Sequence, residues 1–264
     1  MNTTKLENKF EMAPRPDSKR GRNTIAIASG KGGVGKTWFS ITLAHALAKM
    51  NEKILLFDAD FGLANIDIQL GLMAKYDLGN VLTKKITLNQ AVIKDDHGFD
   101  VIAGRSGSGS LANIPFSHVQ SLNNDLLTLS SNYSKVIVDL GAGVERPIRE
   151  TAKNCGKILV LCTDEPTSLT DAYAFIKVLN IECPGLDMRI VINSANSVKE
   201  GEKTYETLRR ACNGFLKISP PLAGIIRRDP RVREAIRHQT SILTRYPNAD
   251  ASEDVMNIAR NLIA

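Results

Sequence analysis

The sequence predicts an α/β protein built on a single doubly wound, mostly parallel sheet flanked by helices. Three observations carry this reading. Apolar runs of strand length alternate with helical patterns from residue 24 onward. Three of the runs, KVIVDL (135–140), KILVLCT (157–163) and MRIVINS (188–194), are apolar almost throughout, as strands covered on both faces should be. A glycine-rich turn, SGKGGVGKT, joins the first strand directly to the first helix.

Taken in order, residues 1–22 read as a disordered basic leader, with two prolines and many charges, which leaves 23–264 for one domain. TIAIAS (24–29) is the first strand, and KTWFSITLAHALAKM (36–50) is a helix with Phe39, Leu43 and Leu47 on one face. KILLFD (53–58) and FDVIAG (99–104) are the next strands, the latter followed by the Ser/Gly-rich loop RSGSGS. The three buried runs come next, and LAGII (222–226) makes a seventh strand. Helical patterns at 117–131, 146–154, 168–180, 198–213, 230–239 and 251–263 fill the gaps, and no internal repeat is visible.

A chain of 264 residues completes a core of this size without disulfides or metal. No run of 18 apolar residues occurs, and the leader has no apolar stretch of the signal-peptide kind. The cysteines, Cys155, Cys162, Cys183 and Cys212, form no CxxC pair, which argues for free thiols in the cytoplasm and against an iron–sulfur or zinc site. The net charge of +6 is concentrated late in the chain. Arg209, Arg210, Lys217, Arg227, Arg228, Arg231, Arg233, Arg237 and Arg245 face only Asp229 and Glu234. Such a stretch serves either an anionic partner, DNA or lipid, or simply solvated helix faces.

The chemistry starts at G-x-x-x-x-G-K-T, satisfied by Gly30, Gly35, Lys36 and Thr37 between a strand and a helix. Glycines let backbone N–H groups converge on phosphate oxygens, and the helix N-terminus adds its positive dipole end. Lys36 then reaches the β- and γ-phosphates while the Thr37 hydroxyl coordinates Mg²⁺. Downstream, DADFGLANID (58–67) offers two carboxylates at a strand end, Asp58 and Asp60, which suit the metal hydration shell and the attacking water or, more plainly, a turn. VIVDLGAG (136–143) is an apolar strand ending in Asp139, a candidate Mg²⁺ holder, with Gly143 close to the terminal phosphate.

An ordinary phosphate loop leaves Lys31 unexplained. KGGVGKT resembles the deviant P-loop of the MinD/ParA family of ATPases, which implies ATP and Mg²⁺ as ligands, a P-loop NTPase fold and a homodimer with ATP between its subunits. The resemblance implies that Gly30, Gly32, Gly33, Val34, Gly35, Lys36, Thr37 and Trp38 form the nucleotide loop. It gives Lys31 the task of reaching the partner's nucleotide, as an arginine finger does. It also makes Asp60 the residue that positions water, Asp58 a metal-shell residue, Asn193 a contact to adenine, and Ile226–Pro230 a loop over the base. DADFGLANIDIQLGL and the stretch from Arg227 to Ser252 are most similar to the FlhG/FleN/YlxH branch of flagellar-number regulators, so the resemblance spans about residues 22–263.

The implied function is a slow ATPase that regulates the number or placement of flagella, with a flagellar assembly or regulatory protein as partner and recruitment to a cell pole. Two alternatives remain open: a ParA-like, DNA-associated positioning ATPase using the late arginines, and a MinD-like cell-division ATPase. Trp38 departs from the small or polar residue usual after Thr37, and its indole is expected to pack with its N–H satisfied. Val255, Ile258, Ala259 and Leu262 make an apolar stripe without a dense basic face, which predicts a helix docked on the domain and speaks against stable membrane binding.

Overall fold

The computed structural model describes residues 21–104 and 115–263. Most of the expected leader and the RSGSGS loop lie outside those residues. Gly21 and Arg22 already belong to the first strand, β1 (Gly21–Ser29), which starts three residues earlier than the apolar run because Gly21 donates its N–H to Asn154 O at 3.0 Å and pairs with Cys155. The helix α1 (Lys36–Ala48) follows, then β2 (Ile54–Ala59). Two five-residue helices, α2 (Ile66–Leu70) and α3 (Leu78–Leu82), precede a 3₁₀ turn (Leu88–Ala91) and the strands β3 (Ile93–Lys94) and β4 (Asp100–Ile102). The rest alternates: α4 (Phe116–Ser130), β5 (Lys135–Ala142), α5 (Arg146–Lys153), β6 (Cys155–Cys162), α6 (Pro166–Glu182), β7 (Met188–Ala195) and α7 (Val198–Ala211). A π-helical turn (Cys212–Leu216), β8 (Leu222–Arg227), α8 (Pro230–Arg237), α9 (Ile242–Arg245) and α10 (Asp250–Ile263) complete it.

The strand order is β3-β4-β2-β5-β1-β6-β7-β8, and every neighbouring pair is parallel except β3 with β4. All seven expected strands are present. The eighth, β3, is a two-residue antiparallel edge with Ile93 opposite Val101, too short to leave a periodic signal. Successive residues of β1 serve opposite cores: Ala26 and Ala28 face α4, α5, α6 and α7, while Ile25 and Ile27 face α1, α8 and α10.

The helix α1 departs from the one-faced pattern expected of it. Residues 38–47 are all buried, including Ser40, Thr42 and His45, because α10 and α9 cover the face that would otherwise meet solvent. Those polar side chains are each satisfied: Thr42 Oγ1 donates to Trp38 O, and His45 Nδ1 lies 2.6 Å from Ser241 Oγ. The C-terminal helix docks as its stripe predicts, with Val255, Ile258, Ala259 and Leu262 buried. Arg227 clamps it, donating from its backbone N–H, Nε and Nη2 to the Asp254 carboxylate at 2.8–2.9 Å. Among the described residues no helix is long and apolar enough to cross a membrane.

Candidate functional site

In doubly wound sheets ligands gather at the carboxyl ends of the strands, where the chain order reverses on either side of a central strand. Here that strand is β1, between β5 and β6, and the loop leaving it is the phosphate-binding turn. Gly35 ends the loop in a left-handed conformation (φ 90°), which an L side chain rarely adopts, and a Cβ there would also sit 2.5 Å from Asn193 Nδ2. At the other end, Gly30 lies so close to α6 that a Cβ would collide with the Asp171 backbone. Gly32 and Gly33, by contrast, face open space. The loop is thus pinned at its ends and free in the middle, with the N-terminal amides of α1 directed at whatever fills it.

A cavity of about 560 Å³ opens over the loop, lined among others by Gly33, Thr37, Trp38, Asp60, Gly141 and Ile236. Lys36, also on the lining, is only 8% exposed and places Nζ 3.5 Å from Asp139 Oδ1. That same oxygen accepts a hydrogen bond from Ser40 Oγ at 2.8 Å. Ser40 stands one helical turn after Lys36 and was not singled out from the sequence, although the i,i+4 spacing puts it on the same face. Asp139 Oδ2 is buried and has no hydrogen-bond partner among the described residues.

Asp58 and Asp139 stand in register on neighbouring strands, both essentially without solvent. Burial, and then the charge of Asp139, pushes the Asp58 carboxyl up to about 7. Burial raises Asp139 as well, with Lys36 opposing. Two buried carboxylates against one lysine, one of them with an unpartnered oxygen, form a site that fits a hydrated divalent cation. Thr37 and Asp139 are the groups placed to hold it. The Asp58 oxygens accept the backbone N–H groups of Asp60, Asn65 and Ile66, so Asp58 also staples the turn after β2. Asp60 lines the cavity and uses Oδ1 to accept N–H bonds from Gly62 and Leu63, which fixes the side chain where the cavity meets Gly141.

Lys31 also lines the cavity, at its rim. Its Nζ donates to Glu165 Oε2 at 2.6 Å and to Thr167 Oγ1 at 2.9 Å, both at the start of α6, and its side chain is 37% exposed. The bond holds the Glu165 carboxyl below its usual value. Neither Glu165 nor Thr167 carried a sequence signal. Gly143 (φ 103°) donates its N–H to Ser29 O, and a Cβ there would meet Glu145 Oε2, whose residue lines the same end of the cavity.

Asn193 lies behind the loop, where its Nδ2 donates to Val34 O at 2.7 Å and its amide braces the loop. Ile226–Pro230 runs from β8 into α8, where Asp229 caps the helix by accepting the Arg231 N–H. Trp38 is 6% exposed and packed in the core with Val34 and Phe39, as expected, but its Nε1 has no partner among the described residues. A donor stranded in this way costs about 1–3 kcal/mol. Of the late basic residues, Arg209, Arg227, Arg231 and Arg245 are tied up in ion pairs with Glu206, Asp254, Asp229 and Glu234.

Comparison with known proteins identifies the family. Residues 25–242 match the family of the CobQ/CobB/MinD/ParA nucleotide binding domain. The antiactivator FleN of Pseudomonas aeruginosa is 34% identical over 229 residues, covering 86% of this chain and 81% of that protein. The flagellum site-determining protein YlxH of Helicobacter pylori is 29% identical over 249 residues, covering 94% and 84%. Among solved structures, the MinC:MinD cell division protein complex of Aquifex aeolicus superposes with a TM-score of 0.72 at 27% identity, covering 91% of this chain and 96% of that one.

Proposed function

Because the chain belongs to the CobQ/CobB/MinD/ParA nucleotide-binding family, with FleN and YlxH among its relatives, we propose that it is an ATP-driven dimerisation switch that sets the number or placement of flagella. One observation carries the proposal. Of the two lysines in the loop, Lys36 is buried beside Asp139 and serves its own cavity, while Lys31, on the rim of that cavity, is held outward by Glu165 and Thr167 at the start of α6. A cation held there, more than a third exposed, is available to a nucleotide across a subunit interface.

The chemistry follows from the chain's own groups. The loop amides and Lys36 hold the β- and γ-phosphates. Asp60, fixed by the two amides of its turn, orients the attacking water. Lys31 of the partner subunit neutralises charge that develops on the phosphates in the transition state. A Mg²⁺ held by Thr37 and Asp139 supplies charge neutralisation between the phosphates when bound. Turnover is slow because the water-positioning carboxylate and the trans lysine come together only in the dimer. ATP then favours a dimer whose joint surface recruits a flagellar assembly or regulatory protein, at a cell pole, and hydrolysis returns the monomer.

Light scattering on the Asp60→Ala protein tests this, with no nucleotide, with ADP, and with ATP plus Mg²⁺. A dimer with ATP alone is the expected result. A monomer under all three conditions, or a dimer under all three, contradicts the switch.

A further inference from the structure

Five neighbouring strands of the sheet carry a cation at the same end. In sheet order, Lys53 stands directly before β2, Lys135 opens β5, Arg22 is the second residue of β1, Lys157 the third of β6 and Arg189 the second of β7. This is the amino end of the strands, opposite the phosphate loop. From Lys157 to the carboxyl end of β6 at Cys162, roughly 15–20 Å of strand separates the two regions. The nucleotide chemistry uses none of these residues.

Three of the five share a face. Side chains alternate along a strand, so Lys135, Lys157 and Arg189 lie on the side of Ile137, Leu159 and Val191, which α1, α8 and α10 cover. Lys157 meets one carboxylate there, Asp187, and Arg189 already holds it. Arg189 Nε donates to Asp187 Oδ1 at 2.9 Å and Nη2 to Oδ2 at 3.1 Å. Lys157 keeps only the far edge of that pair, its Nζ 4.0 Å from Asp187 Oδ2, although its side chain is just 20% exposed. A lysine this hidden normally has a closer partner. Burial, then the Arg189 charge, lowers its pKa, with Lys135 adding to them and Asp187 opposing. Lys135, half-buried at the start of β5, has no ion pair of its own among the described residues. Three cations around one carboxylate leave two positive charges uncompensated.

We infer that Lys135, Lys157 and Arg189 form a second anion site, separate from the phosphate loop, that takes a doubly charged oxyanion of the phosphate monoester class. Such a group matches the excess charge. It also matches the donors: each ammonium offers three N–H groups, and Asp187 occupies only two of the five on Arg189. Binding completes the hydrogen bonding of the two lysines and offsets their mutual repulsion. Chloride, with a single charge, does neither. The same oxygens are presented by free phosphate, by small phosphate esters and by a lipid head group such as phosphatidic acid.

Backbone amide resonances of the ¹⁵N-labelled protein report the two ends of the sheet separately, so a response at Gly32 and Gly33 is not confused with one at the amino edge. Titration with inorganic phosphate is expected to move the amides of Gly156, Lys157 and Arg189 along a saturating curve. Sodium chloride of equal ionic strength should leave them in place. Lys157→Met should weaken the phosphate affinity at this edge roughly 10-fold or more, the range of a charge-assisted hydrogen bond, and Lys135→Met, at a more open position, should act in the same direction. Flotation with phosphatidylcholine vesicles, with and without phosphatidic acid, assigns the source. Wild type that rises only with phosphatidic acid, leaving Lys157→Met behind, assigns a lipid head group; phosphate binding without flotation assigns a free phosphate or small ester. An amino edge unmoved by phosphate, one that answers chloride equally, or variants that bind phosphate there as tightly as wild type overturn the inference.

Discussion

Acid should weaken this fold through His45, a buried residue of α1 that does not line the candidate site. Its ring lies within α1, Nδ1 2.6 Å from Ser241 Oγ and edge-on to His97 at 4.9 Å. Asp95 accepts from His97 at 2.6 Å and, through that bond, raises the pKa of His97. Burial, then the nearby His97 and Lys49 cations, lower His45 from 6.5 to about 4, against a weaker pull from Asp95. The sign follows. Neutral His45 is preferred by the fold, so its contribution is complete above pH 6.5 and is lost as pH falls towards 4, where the unfolded chain binds a proton that the native protein refuses. Between about pH 7.5 and 4.5 the loss amounts to about 2–3 kcal/mol. His97 works in the opposite direction, its contribution being complete below 6.5 and lost as pH rises through its raised value. Urea unfolding of wild type and His45→Gln across this range isolates the effect, because carboxylate and His97 contributions are common to both proteins. The stability difference, wild type minus variant, should be constant above about pH 7 and fall by about 2–3 kcal/mol on the way to about 4.5. A difference that stays flat throughout refutes the assignment of a buried, neutral His45.

Further outcomes follow from the site. Gly30→Ala should cost about 1–3 kcal/mol in thermal unfolding and abolish tight nucleotide binding, because its methyl group meets the Asp171 backbone and displaces the loop. Asn193→Ala leaves Val34 O without its donor, so it should lower stability by about 1 kcal/mol and weaken ATP and GTP alike. Loss of ATP-over-GTP preference with unchanged stability would restore the adenine contact instead. Asp254→Asn removes the charge that clamps Arg227 and should cost about 1 kcal/mol, with faster hydrogen exchange confined to Asp250–Ile263.

What the sequence made legible is what periodicity and spacing encode. The seven longer strands are readable because burial on both faces forces apolar runs, and the phosphate loop because converging amides demand glycine at fixed intervals. The two-residue β3 and the five-residue α2 and α3 are too short for any period to show. The α1 pattern misled for a different reason: a helix covered on all sides needs polar residues only where a partner waits, and Ser241, the partner of His45, lies 196 residues away. Asp58 and Asn193 were identified as site residues, but not the backbone contacts they make. Residue type and strand-end position fix their neighbourhood, whereas the direction of the side chain decides whether it meets the ligand or the loop that holds it. Glu165 and Thr167 were invisible because the attraction of an exposed lysine is settled by the path of α6.

The account turns on Lys31 acting across the interface, and mixing two inactive proteins tests that most directly. Lys31→Ala keeps Asp60, and Asp60→Ala keeps Lys31; each alone should hydrolyse ATP at background. In a mixed dimer, the subunit with Asp60 intact receives Lys31 from its partner, so one site is complete. Equal mixing should restore about a quarter of the wild-type rate per subunit, since random pairing makes about half the dimers mixed, each with one working site. A mixture as inactive as its components would contradict the trans lysine and return Lys31 to its own subunit.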